Sequence, residues 1–263
     1  MRRHLALVAL LALSLALAGC ATPYINDSYR SVAQDSRAQF LIIHYTAIDF
    51  PKSMQVLTQG GRVSSHYLVR DDPPEIYRLV DENRRSWHAG VSSWQGHTQL
   101  NASSIGIEIV NLGYTRNADG SRAWQDYPPG QIEAVVALVK KIVKEHDIKP
   151  DRIVGHNEIA PSRKQDPGPK FPWKRLADEG LIIWPDAKLV AEKLPVFEQL
   201  VPDVLWFQDK LIKHGYALAT TGLMDELTKN ALTAFQMKYR PAKHDAELDA
   251  ETAAILEVLT TPK

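Results

Sequence analysis

Apolar and polar positions along this chain follow two periods, and the switches between them outline its elements. From Phe40 to Ile43 four apolar residues run unbroken into His44, the pattern of a buried strand with a polar side chain at its tip. Residues 63–69 (VSSHYLV) and 75–80 predict two further strands, parted by the turn-forming Asp71-Asp72-Pro73-Pro74. Across residues 104–110 (SIGIEIV), Ile105, Ile107 and Ile109 recur at every second position. A strand of that period turns Glu108 to the face opposite the isoleucines. The period then lengthens. Between Gln131 and Asp147, Ile132, Val135, Val136, Val139, Ile142 and Val143 form one helical stripe, with Pro128-Pro129 ahead and Pro150 behind. A short strand from Asp151 to Gly155 then leads to His156. Strands interleaved with a helix predict an α/β domain around a central sheet.

Beyond Trp184-Pro185-Asp186 the strand signature stops. Residues 203–214, 225–239 and 249–260 are amphipathic at helical spacing, marked by Phe207, Leu211 and Tyr216, then by Leu227, Ala231, Leu232 and Phe235. A stretch of about seventy residues is near the lower limit for a domain, so residues 197–263 are expected to pack as three tight helices. Residues 39–186 form the larger domain, 187–196 a linker, and the polar, weakly patterned residues 21–38 a tether.

Charge narrows the function classes. The chain carries 31 Lys+Arg against 31 Asp+Glu, which leaves no basic surface for a nucleic acid. Its first twenty residues stand apart: a basic start (Arg2, Arg3), an apolar run from Leu5 to Ala18, and Leu17-Ala18-Gly19-Cys20 at the end. That layout reads as a secretory signal, too short to span a membrane. Cys20 is the only cysteine, and the tetrapeptide resembles the bacterial lipoprotein box, whose cysteine is acylated and becomes the first residue. The resemblance implies a mature chain with no disulfide and no thiolate metal ligand. Ala21 lacks the aspartate linked with inner-membrane retention. The implied location is therefore the outer membrane of a Gram-negative bacterium, lipid-anchored through Cys20 and facing the periplasm.

The densest chemistry lies in residues 155–173, GHNEIAPSRKQDPGPKFPW. His156, Lys164 and Asp166 fall within eleven positions, among Pro161, Pro167, Pro169 and Pro172, which are expected to exclude a helix and stiffen the backbone. Imidazole nitrogen and carboxylate oxygen are donors that zinc accepts, and a lysine is a source of positive charge. His44 is the candidate for a third ligand, since both histidines follow strand-like runs, where α/β domains place their sites. On the residues alone the pair reads equally well as structural histidines. Glu108 in its isoleucine-rich strand is costly if buried unpaired, so it faces solvent, a cation or a cavity. His66 reads as a hydrogen-bonded core group, and His88 and His97 lie in a Gly/Ser/Trp-rich loop that suits a binding surface.

Five segments carry a resemblance: residues 42–47 (IIHYTA), 64–69 (SSHYLV), 86–90 (SWHAG), 101–111 (NASSIGIEIVN) and 155–173. Together they resemble the AmpD/AmiD family of zinc N-acetylmuramoyl-L-alanine amidases, which share a fold with T7-type lysozyme amidases and peptidoglycan recognition proteins. The resemblance covers residues 38 to 186 in order. It implies a central mixed β-sheet flanked by helices, with Zn²⁺ held by His44, His156 and Asp166. By the same resemblance Glu108 is the general base, Lys164 steadies the developing oxyanion, and Tyr45, Trp87, His88 and Asn101 line the substrate groove. Two departures from T7-type members stand out: Asp166 replaces their cysteine ligand, and their tyrosine near Ser65-His66 is missing. The implied reaction is hydrolysis of the amide between N-acetylmuramic acid, or its anhydro form, and L-alanine, with peptidoglycan and muropeptides as partners. A homodimer stays open.

The tail, VLWFQDKLIKHGY (204–216), Gly222 and LTKNALTAFQ (227–236), is similar to the three-helix peptidoglycan-binding domain. Its usual Asp-Gly is replaced by His244-Asp245-Ala246-Glu247. Lipobox and tail together point to the outer-membrane AmiD-like branch. Two rivals remain at this stage. One is a non-catalytic wall-binding lipoprotein; the other is a muramidase using Glu108 with an aspartate. No G-x-S-x-G or H-E-x-x-H motif is present, which disfavours serine-esterase and zincin chemistry.

Overall fold

The computed structural model describes residues 22–261. The signal segment and Cys20 lie outside the described residues. Residues 22–35 form neither helix nor strand, and a compact unit begins at Ser36. The folded part thus takes in three residues read as tether. Ser36 Oγ lies 2.6 Å from His146 Nδ1, Arg37 donates to the Ala102 carbonyl at 3.1 Å, and Ala38 is buried. Among the described residues, no helix is long and apolar enough to cross a membrane.

In chain order the elements are β1 (Phe40–Tyr45), α1 (Phe50–Gln59), β2 (Tyr67–Val69), β3 (Ile76–Arg78), the hairpin β4 (Ser93–Trp94) and β5 (His97–Thr98), and β6 (Ser104–Ile109). There follow the hairpin β7 (Tyr114–Arg116) and β8 (Arg122–Trp124), α2 (Pro129–His146), β9 (Ile153–Gly155), α3 (His156–Ile159) and α4 (Trp173–Asp178). The tail adds α5 (Ala187–Gln199), α6 (Val204–His214), α7 (Glu226–Tyr239) and α8 (Ala250–Thr260).

The central sheet has the order β3-β2-β6-β1-β9 and is mixed: β3 runs antiparallel to β2, and the other pairs are parallel. Its register matters for the site, because His44 pairs with Glu108 across β1 and β6. Paired residues in adjacent strands share a face of the sheet, about 4.8 Å apart along the hydrogen-bonding direction. Leu41, Ile43, Ile105, Ile107 and Ile109 share one core cluster with Ile132, Val135, Val136, Val139 and Ile142, the apolar stripe of α2. Glu108 therefore faces away from α2, on the side the isoleucine alternation assigns to it.

A second cluster joins Phe40, Ile42, Trp94, Leu100, Val154 and Ile159 to Phe207, Leu211, Leu232 and Phe235 of the helical tail. Polar contacts follow the same route: the Gln95 amide donates to the Gly215 carbonyl at 2.9 Å, and the Trp94 and Tyr216 rings meet edge to face at 5.2 Å. The tail is packed into the core of the sheet domain.

The structure corrects two element boundaries. Residues 187–196 are helix rather than linker: Asp186 caps α5 by accepting from the Lys188 and Leu189 amides. Pro195 inside that helix hid it, because proline removes a donor and usually ends a helix. The prolines of residues 155–173 do not exclude helix altogether. His156 opens the single turn α3, which stops at Ala160, the residue before Pro161.

Candidate active site

The C-terminal ends of β1 and β9 deliver His44 and His156 to one point, and the loop after α3 brings Asp166 there. His44 Nδ1 lies 2.9 Å from His156 Nδ1, and Asp166 Oδ2 lies 3.0 Å from each. Three nitrogen and oxygen donors in a nearly equilateral triangle cannot all be joined by well-aligned hydrogen bonds. They do fit one face of a metal tetrahedron, whose edge at ~2.0 Å bond lengths is about 3.3 Å. All three residues are buried; His44 is 1% exposed.

The partners behind the two imidazoles fix which nitrogen points inward. His156 Nε2 lies 3.2 Å from the Ala89 carbonyl, to which it donates, leaving Nδ1 as a lone pair. His44 Nε2 lies 3.0 Å from His88 Nδ1, and His88 Nε2 lies 3.1 Å from Ser104 Oγ. Ser104 Oγ in turn donates to the Leu100 carbonyl at 2.5 Å. Read from that carbonyl back, each ring donates through Nε2, so His44 Nδ1 also faces the triangle unprotonated. Burial is the largest influence holding His44 down, at about 4, with His156 adding to it, so the ring stays neutral and ready to ligate. For Asp166 burial pulls upward, but the adjoining His156 and His44 rings outweigh it and hold its carboxyl well below the usual carboxylate range.

Glu108 sits beside this triangle. Its Oε2 is buried and has no hydrogen-bond partner among the described residues. Burial pushes its carboxyl well above the ordinary range, Asp166 pushes the same way, and Lys164 opposes. A cleft of about 250 Å³ opens over the group, lined by Glu108, Lys164, His156, Asp166, Tyr45 and Trp87. Trp87 is 49% exposed at its mouth, with the Arg85 guanidinium stacked 4.0 Å from the ring centroid. Helix α1 supplies a further wall through Ser53, Val56 and Leu57.

Of the residues predicted for the site, His44, His156, Asp166, Glu108, Lys164, Tyr45 and Trp87 come together. His88 lines the same cleft, and both its ring nitrogens are engaged, by His44 and Ser104, so it also braces the His44 ring. Asn101 lies outside the cleft lining, and its Oδ1 accepts from the His88 and Ala89 amides at 3.0 and 2.7 Å. It holds the loop whose His88 ring and Ala89 carbonyl orient His44 and His156. Gly106 carries no local signal of a role: a Cβ there would lie 2.5 Å from the His88 ring, so only glycine leaves room for it. His66 is a core group as expected, accepting from the Gly106 amide at 3.0 Å. A second grouping, Glu82, Glu145 and His146, is already ion-paired by Lys141, 3.6 Å from Glu82 and 2.7 Å from Glu145.

The comparisons with known proteins agree with this geometry. A family model described as N-acetylmuramoyl-L-alanine amidase matches residues 34–169, and a peptidoglycan binding domain model matches residues 201–256. N-acetylmuramoyl-L-alanine amidase AmiD of Escherichia coli (strain K12) is 42% identical over 266 residues, 95% of each chain. The 1,6-anhydro-N-acetylmuramyl-L-alanine amidase AmpD of Enterobacter cloacae is 38% identical over 114 residues, 43% of this chain and 55% of AmpD. Among solved structures, E. coli AmiD in complex with anhydro-N-acetylmuramic acid-L-Ala-D-γ-Glu-L-Lys matches with a TM-score of 0.82 at 40% identity, covering 89% of this chain and 93% of AmiD. AmpDh3 of Pseudomonas aeruginosa matches with a TM-score of 0.82 at 40% identity, covering 90% and 97%.

Proposed function

Because the chain belongs to the N-acetylmuramoyl-L-alanine amidase family, we propose that it hydrolyses the amide joining the lactyl group of N-acetylmuramic acid, the anhydro form included, to L-alanine of the stem peptide. The observation that carries this reading is the donor triangle of His44, His156 and Asp166 with the unpartnered Glu108 carboxylate beside it.

Zinc is the metal we assign to that triangle, since two imidazoles and one carboxylate are a donor set it accepts with a coordination position to spare. Bound there, zinc supplies Lewis acidity, making water a nucleophile near neutral pH and polarising a carbonyl. The protein's own groups do the rest. Glu108 takes the proton of the attacking water and returns it to the alanine nitrogen as the amide breaks, leaving a carboxylate and a free amine. Lys164, on the cleft wall, offsets the negative charge that develops on the carbonyl oxygen. Trp87 and Tyr45 offer flat faces to the sugar and the stem.

We place the enzyme in the periplasm on the outer membrane, anchored by lipid at Cys20. The support is the sequence Leu17-Ala18-Gly19-Cys20 behind an apolar run. One acyl chain binds a membrane only marginally, so stable attachment needs more than one.

Digestion of purified sacculi and of anhydromuropeptides, with and without EDTA and with fragments identified by mass, tests the reaction. Stem peptides with a free L-alanine amine, lost on chelation and restored by zinc, are expected. New reducing sugar ends insensitive to EDTA would instead favour a muramidase.

A further inference from the structure

The metal-ligand turn is tied to the helical tail by a buried ion pair. Lys238 on α7 places its ammonium 3.1 Å from Glu158 Oε1, 2.9 Å from Glu158 Oε2 and 3.3 Å from the Ile153 carbonyl. The same ammonium lies 4.3 Å from the Trp173 ring centroid. Glu158 Oε2 also accepts from the Gly155 amide at 2.7 Å. Both side chains are sealed from solvent, at 4% and 1% exposure. One cation from the tail therefore grips the last strand of the sheet and the first turn after it, on either side of His156.

That turn governs more than one ligand. The Asn157 amide donates to the Asp166 carbonyl at 2.8 Å, and the Asn157 side chain reaches Met237 Sδ of α7 at 3.7 Å. A shift of α3 would move His156 directly and Asp166 through this bond. Stability alone is a poor account of the pair. Removing two ions from water costs several kcal/mol each, and apolar replacement of a buried pair is often neutral or stabilising. What a salt bridge with three directed hydrogen bonds supplies, and an apolar contact does not, is a fixed geometry.

We propose that Glu158 and Lys238 are positioning residues for the metal centre, through which the helical tail holds the His156 turn in ligating geometry. The proposal rests on the zinc reading of the His44–His156–Asp166 triangle. It gives the tail a role in the reaction separate from any contact with the wall.

The test uses the full-length protein in three forms: wild type, Lys238→Met, and the double variant Glu158→Gln/Lys238→Met. The double variant removes both charges at once and keeps the side-chain volumes, so no unpaired ion remains buried if the single variant fails to fold. Zinc release into a chromophoric chelator, amide hydrogen exchange of the metal-free protein, Tm and steady-state kinetics are measured. We expect the double variant to keep a Tm near that of wild type but to release zinc roughly 10–100-fold faster, the usual effect of losing an outer partner of a ligand. Exchange should quicken at residues 153–160 specifically, and kcat should fall with KM little changed. Wild-type zinc release and exchange in the double variant would overturn the proposal, since the pair would then matter only to its own burial. A wild-type protein that takes up no zinc would overturn the reading of the site, and this proposal with it.

Discussion

His44 Nε2 and His88 Nδ1 lie 3.0 Å apart, and this contact turns His44 Nδ1 toward His156 and Asp166. His88→Phe keeps a ring in the space but ends the hydrogen bond. Zinc affinity should fall roughly 10–100-fold, as when other outer partners of metal ligands are lost. Competition with a chelator of known affinity measures it. A variant with wild-type zinc affinity and a raised KM would return His88 to the substrate-binding role its loop suggests.

Gly106 makes that contact possible. In Gly106→Ala the new methyl carbon would lie 2.5 Å from His88 Cγ, so either the ring or β6 must move. Overpacking of this kind costs about 1–3 kcal/mol. Chemical denaturation should show the loss, and zinc affinity should fall alongside it. An alanine variant with unchanged stability and metal binding would contradict the close packing.

Glu108→Gln should keep the metal, because Glu108 is not among the three ligands, yet lose its base. A fall in kcat of roughly 10²–10⁴-fold is expected, the usual worth of general acid–base catalysis. Metal content and single-turnover rates on an anhydromuropeptide separate the two effects. Burial raises the Glu108 carboxyl, so its reactive ionised form is present above the raised pKa and is lost as pH falls through it. The acid limb of kcat/KM in wild type should lie above the ordinary glutamate range.

His214, packed between Trp94 and Phe235, supplies a pH test away from the metal. Burial, with help from Lys238, lowers it from 6.5 to about 3. The unfolded chain then binds a proton that the folded one refuses. This contribution to stability is fully present above pH 6.5 and is lost as pH falls toward 3, by up to ~1.4 kcal/mol per pH unit. Urea midpoints across that window should fall more steeply for wild type than for His214→Phe. Equal slopes would place the titration elsewhere.

Long, strongly periodic elements were legible in the sequence. The run into His44, the isoleucines around Glu108, the α2 stripe and the helices α6 to α8 all appear close to where the pattern predicts. His44, His156 and Asp166 are named together only through the resemblance of residues 42–47 and 155–173 to a known family, since on the residues alone the two histidines read equally well as structural. What escaped was short or depended on distant packing. Helix α1 was missed, although Asp49 caps it through the Lys52 amide and Pro51 sits in its first turn, both local start signals. The hairpin strands are two or three residues long, too short for a period to register. His88 and Asn101 lie in a loop of binding-site composition, and only the space left by Gly106 turns the His88 ring inward. Glu158 and Lys238 meet across eighty positions, which no local pattern reports.

The cluster that runs from Phe40 and Ile42 to Phe207 and Phe235 leaves no seam at which catalyst and tail could part. Exchanging the tail for that of another enzyme would bare the apolar residues of the sheet around Phe40 and Ile42. Denaturation of the two halves is therefore expected to be a single cooperative event, in which melting of the tail also ends the capacity to cut.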